Sequence, residues 1–204
     1  MEFIPTDQFL AWAENLGIVL DPRYSSPKCL VHTPPSTERR FWNVPKSKNE
    51  VKHLVSHLMT SIGSWRCCYL WLRGGCWPNL NTPHDRLEAI RSIVEMGTAI
   101  PDGFEGAVKY AADEFNQLVG RITPYALCGV SVRDDLFILP DDGRCILQTD
   151  HHDVIHASYL DGADLNRLIE QMAGGGYSLP TELLDWTFKR PNWMTVSEEI
   201  SDVE

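Results

Sequence analysis

Leu136-Phe137-Ile138-Leu139-Pro140-Asp141-Asp142-Gly143-Arg144-Cys145-Ile146-Leu147-Gln148-Thr149-Asp150-His151-His152-Asp153-Val154-Ile155-His156-Ala157-Ser158-Tyr159 is the stretch that decides the fold. Three short runs rich in β-branched and aromatic residues (136–139, 144–148 and 154–159) alternate with Asp141-Asp142-Gly143 and the turn from Asp150 to Asp153. Acidic and glycine residues take up the tight backbone of hairpin loops, so successive runs fold back on one another. With Leu127 to Val132 read as a further strand before Arg133-Asp134, this predicts an antiparallel meander of four to five strands.

Upstream the apolar period changes from two to about 3.6 residues. Phe9, Trp12, Ala13 and Leu16 share one face of a helix starting near Thr6. Val51, Leu54, Val55, Leu58 and Ile62 form a second stripe behind Ser47-Lys48-Asn49-Glu50, which has the form of a capping box. Thr82-Pro83 opens a third helix. The spacing of Phe104, Val108, Ala111, Phe115 and Leu118 predicts a fourth, from about Phe104 to Val119. Asp161 caps a fifth, with Leu165, Leu168, Ile169 and Met172 facing inward. Trp65 to Leu72 is apolar at nearly every position, as in a strand covered on both faces. The segment from Asp21 to Pro45 reads as a long, partly extended connection. Helices that lead and strands that follow give an α+β domain over residues 1–195, its sheet packed against amphipathic helices, with an acidic mobile tail at 196–204.

A chain of 204 residues is long enough to bury about 70% of its unfolded surface. Its formal net charge of −10, with Lys and Arg scattered, argues against duplex nucleic acid as a partner. No stretch reaches the roughly 20 apolar residues of a membrane helix, and Met1-Glu2-Phe3-Ile4-Pro5 lacks the form of an export signal. The six cysteines, mostly in apolar segments, read as reduced buried thiols, so a cytoplasmic location is expected.

Imidazoles and carboxylates together are the usual ligands of zinc, manganese and iron. This makes Asp150, His151, His152 and His156 the candidate divalent-metal site, with Asp153 as an acid able to orient water. Ile146 to His152 resembles the strand-end Thr-Asp-His-His segment of the DHH phosphoesterases, a resemblance that implies manganese-dependent phosphoester hydrolysis. That family also holds its metals on earlier strand-end aspartates. Here Asp134-Asp135 and Asp141-Asp142 read as turn residues, so the activity is not carried over. His53 and His57 lie opposite the apolar stripe of their helix and read as solvent-facing. Cys76, in Gly74-Gly75-Cys76-Trp77, is the candidate reactive thiol, with His84 as its conceivable base. Phe41, Trp42 and Trp77 are the candidate aromatic binding surface. No phosphate loop, dinucleotide turn, nucleophile elbow or His-Glu-x-x-His helix is present. The expectation from sequence is therefore a regulatory or immunity-type module that binds another protein, with a metal-dependent hydrolase at the meander tip as the alternative.

Overall fold

A computed structural model of the chain describes residues 1–25, 28–34, 38–77, 100–129 and 132–181, with positions 74–76, 128 and 132 described by backbone alone. The helix expected after Thr82-Pro83 and the tail at 196–204 lie outside the described residues.

The meander is present as β7 (Leu136–Pro140), β8 (Cys145–Asp150) and β9 (Val154–Tyr159), joined antiparallel with Ile138 opposite Leu147 and Leu147 opposite Ala157. It belongs to a larger sheet than expected. Seven strands run β1-β6-β5-β7-β8-β9-β4, every pair antiparallel, with β1 at Glu2–Pro5, β4 at Arg39–Asn43, β5 at Cys67–Cys76 and β6 at Glu105–Ala111. Two short strands, β2 (Ile18–Leu20) and β3 (Leu30–His32), form a separate pair. The long connection from Asp21 thus contains β3 and β4, and the strand expected at Trp65 to Leu72 is β5, an interior strand.

Two sequence expectations need correction. The helix expected from Phe104 to Val119 begins instead as β6, and the helical chain starts only with a 3-10 turn (Ala112–Glu114) leading into α3 (Phe115–Cys128). The reason is burial on both faces: Ala107 packs on one side of the sheet, Val108 and Tyr110 on the other, so β6 lacks the alternation that marks a half-exposed strand. The strand expected at Leu127 is the last turn of α3, which carries Pro124 within it and buries Leu118, Val119, Ile122, Tyr125 and Ala126.

Each face of the sheet has its own apolar layer. Cys68, Leu70 and Leu72 of β5, Leu147 of β8 and Ile155 of β9 meet α2 (Lys48–Ser61), α3 and α4 (Gly162–Gly174) through Leu54, Leu58, Leu118, Leu165 and Met172. Two of these helices, α2 and α4, start at side-chain caps: Ser47 Oγ accepts from the Glu50 amide and Asp161 Oδ1 from the Ala163 amide. The opposite face packs Tyr69, Trp71, Phe137 and Leu139 against Phe9 and Ala13 of α1 (Thr6–Asn15) and against Ile18 and Leu30 of the β2–β3 pair. His32 ties this layer down, donating from Nε2 to the Gly143 carbonyl at 3.0 Å.

The second layer lies over β6, β5 and β7. Over β8, β9 and β4 the same face of the sheet turns polar.

Candidate functional site

Strand alternation places the polar face. Gln148 on β8 stands opposite Phe137 on β7 and His156 on β9, and His156 stands opposite Phe41 on β4, so these four form one row across the sheet. One step along, Ile146, Ser158 and Arg39 form the next row. One step the other way, β8 ends at Asp150. The β8–β9 loop is then His151-His152-Asp153, with Asp150 paired to Val154 and the Asp153 amide bonded to the Asp150 carbonyl at 3.1 Å. Asp153 has φ 62°, the left-handed conformation that closes three-residue hairpin loops and that aspartate adopts more readily than most residues.

The loop brings the expected histidines together with Asp150. Each of Asp150, His151 and His152 offers one ligand atom within 4.8 Å of the others, so the group can hold a metal ion. His152 Nδ1 lies 2.5 Å and His151 Nδ1 3.4 Å from Asp150 Oδ1. The two rings are 4.0 Å apart between centroids. His156 sits behind them, almost fully buried, with Nε2 3.3 Å from Asp150 Oδ2 but without hydrogen-bond alignment.

Sequence reasoning missed the residue that organises this group. Asp135, read as a turn residue, is 1% exposed and accepts four hydrogen bonds: from Arg73 Nη1 at 2.9 Å, Gln148 Nε2 at 3.0 Å, the His151 amide at 3.1 Å and His151 Nδ1 at 2.8 Å. Gln148 in turn accepts from Arg39 Nη2 at 2.7 Å. The available signal was Gln148 and Asp150, two positions apart on one face of the buried β8, which mark a polar row needing partners from neighbouring strands.

The electrostatics follow from these contacts. Burial works to raise the Asp150 pKa, but the neighbouring His156 and His152 side chains and the His152 amide outweigh it and hold the carboxyl well below the usual carboxylate range. The hydrogen bond to Asp135 raises the His151 pKa. Burial lowers that of His156, which favours its neutral form.

A cavity of about 280 Å³ opens beside the cluster, floored by Gln148, His156, Ser158 and Arg39 and walled by Asp21 to Tyr24 and by β3.

The other candidates are placed differently. Trp42 and Trp77 are each 2% exposed, inside the helical-side core, and Trp77 Nε1 donates to the Gly106 carbonyl at 2.9 Å. Phe41 is half-buried against His156, so the three do not form an exposed aromatic surface. The Cys76 side chain and His84 lie outside what is described. Cys29, Cys67, Cys68 and Cys145 are free thiols whose pKa values burial raises. His53 is exposed, while His57 is half-buried and its Nε2 lies 3.1 Å from the Gln171 carbonyl at the end of α4. Among the described residues no helix is long and apolar enough to cross a membrane. No family model, curated protein or solved structure matches this chain.

Proposed function

We propose that the β8–β9 loop is a divalent-metal centre and that the chain is a metal-dependent hydrolase. The observation that carries this reading is the convergence of Asp150, His151 and His152 within 4.8 Å, backed by the buried Asp135 on His151 Nδ1. A carboxylate on one ring nitrogen fixes the tautomer and the ring direction, which is how metal-ligating histidines are commonly supported from behind. Two imidazoles and a carboxylate suit zinc, manganese or iron. Three protein ligands leave room for water, whose pKa a metal lowers from 15.7 to about 7. Asp150, His151 and His152 would hold the metal, which would supply a nucleophilic hydroxide for attack on an ester; Asp153, in the same loop, would be the acid that takes up the water's proton and returns it to the leaving alkoxide. His156, behind Asp150, supports that ligand.

An exposed aromatic surface at Phe41, Trp42 and Trp77 would have supported the protein-binding reading, and with Trp42 and Trp77 buried that support is missing.

The test is hydrolysis of bis-p-nitrophenyl phosphate and p-nitrophenyl acetate. Activity abolished by EDTA, restored by one of the three metals and lost in His152→Ala is the expected result. Hydrolysis indifferent to EDTA, or none with any of the three metals, overturns it.

A further inference from the structure

The cavity beside the loop has a chemistry of its own. Arg39 is its notable charge. The chain carries 28 acidic against 18 basic residues, yet the Arg39 guanidinium bonds to a neutral amide, Gln148, and has no carboxylate within ion-pair distance among the described residues. Arg23, also on the cavity wall, is by contrast neutralised by Asp21, whose carboxylate it meets through Nε at 2.9 and 3.0 Å and through Nη2 at 2.6 Å. A guanidinium held by a neutral amide, with Asp150 and Asp135 acting on it only through space, keeps donors for an anion in a concave site.

Two buried histidines line the same space. His32 is 2% and His156 4% exposed, and Nδ1 of each has no hydrogen-bond partner. The Gly143 carbonyl only accepts, so His32 carries its proton on Nε2, and in a neutral ring Nδ1 is then a lone-pair acceptor. His156 Nε2 lies 3.3 Å from Asp150 Oδ2 without hydrogen-bond alignment, and its Nδ1 has no partner either. A buried acceptor without a partner is costly, on the order of 1–3 kcal/mol, unless a bound group donates to it. Ser158 adds a hydroxyl between Arg39 and the β8 row, and Phe137, Ile146 and Leu30 supply an apolar side.

We propose that this cavity binds a small hydroxylated anion, such as a sugar phosphate or a polyhydroxy acid, with the anionic group on Arg39 and hydroxyl groups hydrogen-bonded to His32 and His156. At about 280 Å³ the space lies near the lower end of the roughly 300–1,000 Å³ of small-molecule sites, in keeping with a ligand of this size. The cavity shares His156 with the surroundings of the metal group, whereas Arg39, His32 and Ser158 lie outside that group, so anion binding is measured on metal-free protein.

The experiment is calorimetric titration of EDTA-treated full-length protein with ribose 5-phosphate, gluconate, ribose and inorganic phosphate. Ribose 5-phosphate or gluconate should bind, and which of them binds tells a phosphate from a carboxylate ligand. Ribose and inorganic phosphate should each bind at least about tenfold more weakly, because each lacks one half of the recognition. Arg39→Met, a change on an exposed edge-strand residue with folding checked by circular dichroism, should weaken the bound anion by at least about tenfold. His32→Leu should bring the affinity for the hydroxylated anion down toward that for inorganic phosphate. Absence of binding by both hydroxylated anions at about 10 mM, unchanged binding in Arg39→Met, or inorganic phosphate binding as tightly as the tighter of the two anions would overturn the proposal.

Discussion

Asp135 is the residue on which the site turns. Its carboxylate, wholly enclosed, neutralises Arg73 and fixes both the amide and the ring of His151. Asp135→Asn keeps the shape but leaves the nearly buried Arg73 without its counter-charge. Removing one partner of such a pair costs about 3–5 kcal/mol, so the urea midpoint should fall clearly. Metal affinity should drop about 10- to 100-fold as the support behind His151 is lost. A midpoint within error of wild type would show that the pair is not needed. His32 sets a pH dependence of the opposite kind from His151. Burial depresses its folded pKa below the unfolded value near 6.5, so above that value both states are neutral and the contribution is fully present. As pH falls below it the unfolded chain takes the proton first and stability declines. In His32→Asn the loss of stability between pH 7 and 5 should therefore be shallower, measured by denaturant unfolding across that range. A steeper slope in the variant would contradict this.

At the scale of elements, β1 depends on a glycine across the strand pair. A Cβ on Gly106 would come 2.1 Å from the Ile4 carbonyl oxygen, and the residue has φ 154°. Gly106→Ala should cost about 1–3 kcal/mol and expose the β1 amides to hydrogen exchange before those of β7. Equal protection of β1 in variant and wild type would refute the close approach. The elements were unevenly legible, for physical reasons. The caps at Ser47 and Asp161, the stripe from Val51 to Ile62 and the β7–β8–β9 meander were legible, because amphipathic period and turn chemistry act locally. β1, β2 and β4 are three to five residues long, too short for a period, and β6 hides its alternation by burying both faces. The site was half legible. Asp150, His151 and His152 are adjacent in the chain, whereas Asp135, Arg73, Arg39 and His32 reach the same polar face only through strand pairing and the packing of the β2–β3 layer.

Across the whole molecule, the sheet separates the helical core from the candidate site. Among the described residues three helices close one face with apolar side chains, and the other face carries an apolar half under α1 and a polar half beside the meander loop. A cavity made on the helical side should leave the site's chemistry intact. Leu54→Ala removes a fully buried side chain of α2 and should cost about 2–5 kcal/mol in thermal or urea unfolding. Metal and anion affinities measured well below the melting temperature should stay within about twofold, a change of under 0.5 kcal/mol. A parallel loss of both would mean that the two faces are coupled through the sheet. The most direct test of the central claim is metal content by mass spectrometry, on untagged protein purified without added metal and compared with His151→Ala/His152→Ala. About one equivalent of zinc, manganese or iron per chain, lost in the double variant, is the expected result for a three-ligand centre. No metal, or the same metal content in both proteins, would contradict it.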